Sequence, residues 1–180
     1  MPERTRRLVN DSDTLDLDDY LPYLVNRVGT IIADQWGGEQ LAPYRLSIAM
    51  WRVMAVLASK GGQRQIDLAD LTSIEVSTLS RLVTRLMRLG IASRTRSASS
   101  TREVVVKLTP KGKTLVARLV PLALGYEAAA IAGVRPDELA MVKSALRRMY
   151  TNMKARQQAD GAAGAGERPR GRRRSVLAAE

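Results

Sequence analysis

The chain has 180 residues, 45% of them hydrophobic, and a formal net charge of +11, which suits one compact basic domain with tails. Cys and His are both absent, which excludes disulfides, thiol redox sensing, Cys/His zinc sites and His-based catalytic triads. Phe is absent too, so the core must be Leu, Val, Ile, Met and Ala, a set that suits helices.

Residues 1–15 read as a flexible arm. A helix is predicted from about Asp16 to Trp36, with Asp16, Asp18 and Asp19 near its positive end. Together with Asp11 and Asp13 these acids form a solvated lead-in rather than a catalytic pair. Leu21, Leu24, Val25, Val28, Ile31 and Ile32 recur at helical spacing as one stripe, and Gly37-Gly38 is the expected stop. Ser47 caps a second helix that ends at Gly61-Gly62, with Trp51, Met54, Ala55 and Ala58 on its apolar face.

A short helix from about Arg64 to Leu71 follows, then a turn through Thr72-Ser73-Ile74 and a helix from Val76 to Leu89 ended by Gly90. Ala92–Thr95 and Glu103–Leu108 read as strands, the second marked by Val104-Val105-Val106. The small polar run Ser97-Ala98-Ser99-Ser100-Thr101 is their hairpin tip. Thr109-Pro110 starts a long helix towards Gly133. Pro136-Asp137-Glu138 starts the last one, which reaches about Met153 with Leu139, Val142, Leu146 and Met149 as its stripe. Gln157–Glu180, rich in Gly, Ala and Arg, is expected to be disordered.

Helix, turn, helix and two-stranded hairpin, in that order, define a mainly α protein with a winged helix-turn-helix lobe. The Val76–Leu89 helix carries the sharpest signal. At about 100° per residue, Leu79, Leu82, Val83, Leu86 and Leu89 share one side. Ser77, Ser80, Arg81, Thr84, Arg85 and Arg88 share the other, with no acid among them. Thr78 joins them at the helix start. Arg forks suit guanine edges, and Ser and Thr suit bases or phosphates. An ordinary solvated face would mix both charge signs. From Val76 to Arg118, ten basic residues stand against one acid, Glu103. That field attracts a polyanion, and double-stranded DNA is the expected partner. Arg94, Arg96 and Arg102 flank the hairpin; Arg96 and Arg102 are the expected minor-groove contacts, while Arg94 also reads as a plain surface charge.

The resemblance is to the MarR family of bacterial regulators, over roughly Tyr20 to Met153. It is carried by Trp51-Arg52-Val53-Met54, Leu68-Ala69-Asp70-Leu71, Ser77-Thr78-Leu79-Ser80-Arg81-Leu82-Val83, Arg85-Leu86-Met87-Arg88-Leu89-Gly90 and Leu108-Thr109-Pro110-Lys111-Gly112. It implies a homodimer whose first and last two helices intertwine. The dimerisation helices are then 16–45 and 109–153, the DNA-binding lobe 46–108 and the disordered basic tail 154–180. It further implies a pseudo-palindromic operator, usually repression, and release by a small ligand seated between dimer base and lobe. Family wings often carry Asp-x-Arg where this chain has Ser100-Thr101-Arg102, so the usual acidic partner of the arginine is missing. Arg135 likewise stands where a small polar cap is usual. Leu21-Pro22-Tyr23-Leu24-Val25-Asn26-Arg27 and Thr72–Thr78 resemble the branch that governs aromatic-acid catabolism, some of whose members respond to hydroxycinnamoyl-CoA thioesters.

Tyr20, Tyr23 and Arg27 are spaced to lie together on the first helix, and Trp51 and Arg52 begin a string on the second. Rings beside guanidinium groups suit an aromatic acid or an acyl-CoA effector. The same rings also suit a plain core. No cofactor, metal or catalytic residue is expected. No apolar run has membrane length: Pro121 to Val134 is broken by Glu127. Met1-Pro2-Glu3-Arg4 opens no secretion signal, so a cytoplasmic protein without a membrane partner is expected. The competing readings are a constitutive architectural DNA-binding protein without a ligand switch, a nucleic-acid enzyme, and a protein-binding module using the wing.

Overall fold

The computed structural model describes residues 14–96 and 104–166, the last six by backbone alone. In chain order they form α1 (Leu21–Gln35), a π-helical segment (Trp36–Leu41), a 3-10 turn (Ala42–Tyr44), α2 (Ile48–Lys60), α3 (Gln65–Thr72) and α4 (Val76–Arg88). Then come β1 (Ala92–Arg96), β2 (Val104–Leu108), α5 (Pro110–Ala130) and α6 (Pro136–Gly166). The chain divides into two compact units, Met1–Ala130 and Ile131–Glu180.

In the first unit α2 is the central helix, packing on α3, α4, α5 and β2. The core joins Met50, Val53, Met54 and Leu57 of α2 to Leu68 of α3, Leu79, Val83 and Leu86 of α4, Val106 of β2 and Leu119 of α5. Burying each such side chain contributes on the order of 1.5–3 kcal/mol. Ser47 caps α2 as expected, its hydroxyl accepting from the Met50 amide at 3.3 Å. The buried face differs from the predicted one. Met50, Val53, Met54 and Leu57 are buried, whereas Trp51 and Ala55 are half-buried and Ala58 is exposed. A helix surrounded on several sides buries the stripe that meets most neighbours, which its own periodicity does not single out.

The strands pair antiparallel, Ala92 opposite Leu108 and Arg96 opposite Val104. Gln63 adds an isolated bridge to β2, exchanging both backbone hydrogen bonds with Val106 at 3.0 and 2.8 Å. The hairpin tip and Glu103 lie outside the described residues.

Three boundaries moved. The first helix starts at Leu21 rather than Asp16. Pro22 occupies its first turn, where a missing N–H is tolerated. The Asp18 amide instead donates to the Asp16 carboxylate at 3.0 Å, closing a local turn that competes with helix. Gly37-Gly38 does not stop the chain; the helix widens into the π segment, and both its end residues, Trp36 and Leu41, are buried. Burial of those two large side chains outweighs the backbone cost of two glycines.

The last helix, described by itself, runs on to Gly166, so residues 154–166 are helical rather than disordered. Ala, Gln, Lys and Arg dominate Lys154 to Ala159, and these are strong helix formers. Its start is also firmer than Arg135 suggested. The Glu138 carboxylate accepts from the Arg135 amide at 3.0 Å, and the Arg135 guanidinium pairs with Asp137. That pairing holds the Asp137 carboxyl below its ordinary pKa.

Candidate nucleic-acid interface

The helix-turn-helix is built by α3, α4 and the three residues between them, Ser73, Ile74 and Glu75. Thr72 is buried and turns its hydroxyl onto the Leu68 carbonyl at 2.5 Å. Ser73 takes a left-handed conformation, φ 55°, and the Ile74 amide reaches back to the Ala69 carbonyl at 3.1 Å. This closes α3 with a Schellman-type turn and aims the chain into α4.

α4 sits as its sequence predicts. Leu79, Val83 and Leu86 are buried, and Leu82 and Leu89 pack half-buried against the same core. Ser77, Thr78, Arg81, Arg85 and Arg88 are exposed, and Ser80 and Thr84 are half-buried. These hydroxyls and guanidinium groups therefore do share one open face. Their hydrogen bonds refine it. Thr84 donates its hydroxyl to the Ser80 carbonyl at 2.9 Å, so it faces its own helix. Arg81 donates to the Thr78 hydroxyl at 3.4 Å. Arg85 donates to the Arg45 carbonyl at 3.3 Å, tethering α4 to the turn that precedes α2.

The C-terminal end of α4 is fixed by the start of α5. Gly90 has φ 70°, a conformation that favours glycine. Thr109 donates its hydroxyl to the Gly90 carbonyl at 2.7 Å and accepts from the Gly112 amide at 3.1 Å. Lys111 donates to the Leu89 carbonyl at 2.8 Å. A Cβ on Gly112 would stand 2.2 Å from the Ile91 carbonyl oxygen. Thr109, Lys111 and Gly112 therefore clasp the C-terminal end of α4.

The wing arginines separate. Arg94 donates to the Gln65 side chain at 2.9 Å and so braces β1 on α3. Arg96 is exposed at the strand end, and Arg102 lies outside the described residues.

The N-cap of α4 carries a residue the sequence reading passed over. Glu75 accepts from the Ser77 amide at 2.9 Å, from the Thr78 amide at 3.0 Å and from the Ser77 hydroxyl in a short contact. The Ser77 hydroxyl, then the two amides, hold its carboxyl below its ordinary pKa. Its place immediately before the helix was the available signal, but Glu is not among the usual N-cap residues.

The five residues expected to meet a ligand differ in exposure and in partners. Tyr20 and Arg52 are exposed and Tyr23 is half-buried. Arg27 is exposed and lies 3.9 Å from Asp18. Trp51 instead meets Trp36, ring centroids 5.4 Å apart and edge to face, and Trp36 meets Tyr126 at 5.5 Å. The Tyr126 hydroxyl donates to the Glu39 carboxylate, which raises the phenol's pKa. Trp36 is only 5% exposed, and its indole N–H has no partner among the described residues. Trp36, Glu39 and Tyr126 were absent from the expected set. A Trp before Gly-Gly reads as a helix end, and Tyr126 is 87 residues from Glu39.

A winged lobe presenting Arg81, Arg85 and Arg88 on the open face of its second helix defines a winged helix-turn-helix DNA-binding protein. The MarR family model matches residues 46–104, which span this lobe from the end of the Arg45 turn to β2. A MarR family transcriptional regulator from Silicibacter pomeroyi is 31% identical, with 76% of this chain and 91% of that one covered at a TM-score of 0.70. The HTH-type transcriptional regulator YwoH of Bacillus subtilis is 28% identical over 119 residues, 66% of this chain and 85% of YwoH. CouR from Rhodococcus jostii RHA1, solved with p-coumaroyl-CoA, shares the fold at TM-score 0.70 and 20% identity, over 76% of this chain and 95% of CouR. The chain belongs to the MarR family. It is a DNA-binding transcription regulator rather than an enzyme.

Proposed function

We propose that this regulator is a repressor: a homodimer that binds a pseudo-palindromic operator and is released by a small aromatic or acyl-CoA effector. The observation that carries the DNA part is the open face of α4, where Arg81, Arg85 and Arg88 stand on a helix anchored by buried Leu79, Val83 and Leu86. Two such helices, one per protomer, read half-sites about one helical turn apart, with Arg96 and Arg102 at the adjacent minor grooves.

Dimerisation is supported by the apolar stripe of α1, in which Leu21, Leu24, Val25, Val28 and Ile31 are all exposed. On α6, Met141, Val142, Leu146, Met149 and Met153 are exposed as well. Patches of this kind mark interaction surfaces.

The effector reading rests on the rings around Trp51. The orphaned Trp36 N–H beside them is a donor that a carbonyl or carboxylate oxygen would satisfy. The p-coumaroyl-CoA bound to CouR is a ligand of that chemistry. Arg27 and Arg52, both exposed, are the residues assigned to its charged part.

The test is fluorescence anisotropy with the DNA upstream of the protein's own gene. Arg81→Ala should weaken operator binding by about 1–3 kcal/mol and flatten discrimination against random duplex. Hydroxycinnamates, benzoates and their CoA thioesters are then titrated into the complex. Equal affinity for operator and random DNA at physiological salt refutes the repressor. Tight operator binding that none of these compounds weakens leaves a constitutive architectural factor.

A further inference from the structure

The proposal that follows rests on α4 reading the operator and concerns what its first turn can read. Glu75 and Ser77 are both exposed there. The Glu75 carboxylate is an acceptor only, so in their mutual hydrogen bond the Ser77 hydroxyl must donate. That commits its one proton and leaves the serine oxygen with lone pairs alone facing outward. On the carboxylate, one oxygen takes the Ser77 hydroxyl and the Thr78 amide, and the other takes only the Ser77 amide. The second oxygen keeps a free lone pair. Glu75 and Ser77 thus offer acceptors only, while Arg81, Arg85 and Arg88, one turn and more further on, are donor-only.

We infer that Glu75, by orienting the Ser77 hydroxyl, is a specificity-determining residue that makes each half-site select a base bearing an exocyclic amine. In the major groove those bases are cytosine, through N4–H, and adenine, through N6–H. Guanine O6 and N7 and thymine O4 are acceptors, which face Ser77 and Glu75 with lone pairs opposed. The same carboxylate occupies the Ser77 and Thr78 amides, which would otherwise draw a phosphate, so these residues are directed at base edges rather than backbone.

Selection from a randomised duplex pool, with sequencing of the enriched DNA, tests this. It is run on the full-length protein and on the Glu75→Gln, Glu75→Ser and Ser77→Ala variants. Serine retains a neutral N-cap acceptor, so Glu75→Ser keeps α4 capped while removing the charge. The unsubstituted protein should enrich cytosine or adenine at one position per half-site. Both Glu75 variants should lower that preference about fivefold or more, at that position and not at those read by the arginines. Affinity for random duplex should rise in both, because a negative charge leaves the interface. Ser77→Ala should lower the same preference. A motif enriched unchanged by both Glu75 variants overturns this proposal alone, as does guanine or thymine at the position lost. Failure of the unsubstituted protein to enrich any motif overturns the operator reading and this proposal together.

Discussion

α4 and α1 carry apolar stripes of the same kind, yet one is covered within the chain and the other is not. In α4, Leu79, Val83 and Leu86 are buried against α2 and α3. In α1 no residue is buried; Val28 is 58% exposed and Ile31 61%. Both helices are amphipathic by sequence. The periodicity states that a face must be covered, and leaves open whether the cover is the rest of the chain or another molecule. The covered helix can hold a rigid array of side chains towards DNA. The uncovered one is open to another molecule, which in the proposed dimer is a second copy of the chain.

The largest effect expected from breaking this contrast is on assembly. Val28→Glu with Ile31→Glu would cost a monomer little, since each site is solvated. In a dimer built on α1 it puts charges into the interface, and sedimentation velocity at micromolar concentration should show only monomer. A dimer that persists unchanged shows that α1 is not its interface.

The complementary change is on α4. Leu86→Ala removes a fully buried side chain and should cost about 2–5 kcal/mol of folding stability, measured by urea denaturation. A cost near zero would mean that the α4 stripe is not held as described.

Smaller again is the clasp at the end of α4. Gly112→Ala places a methyl against the Ile91 carbonyl, a backbone atom that cannot rotate away. It should lower stability by about 1–3 kcal/mol and weaken operator binding beyond that found for an α5 surface variant such as Lys113→Ala. Stability at the level of the unsubstituted protein would show that α4 and α5 are not bolted together there.

The smallest effect is at the other end of α4. The Glu75 carboxyl is depressed in the fold, so its stabilising charge is present above the ordinary glutamate pKa and is lost as pH falls through the folded value. The gap in Tm between the unsubstituted protein and Glu75→Gln should therefore be widest near neutrality and shrink below about pH 4. A gap that stays constant to pH 3 would assign the cap to shape rather than charge.

What was legible in the sequence was local. Ser47, Gly90 and Thr109-Pro110 act on backbone groups within one turn, and each stands at the boundary predicted from it. The two faces of α4 follow from a period of 3.6 residues and needed no neighbour to reveal them. Tertiary structure decided whatever depends on a distant partner. Burial of Trp36 and Leu41 carried the helix past two glycines into a π segment. Packing on four sides chose Met50, Val53, Met54 and Leu57 as the inner face of α2 over the face that begins at Trp51. Arg85 found the Arg45 carbonyl, Arg94 found Gln65, and Tyr126 found Glu39 across 87 residues. A side chain's local sequence fixes which face it occupies. Which atom it meets there is set by elements whose approach no short-range rule encodes, because that approach results from the burial of the whole core at once.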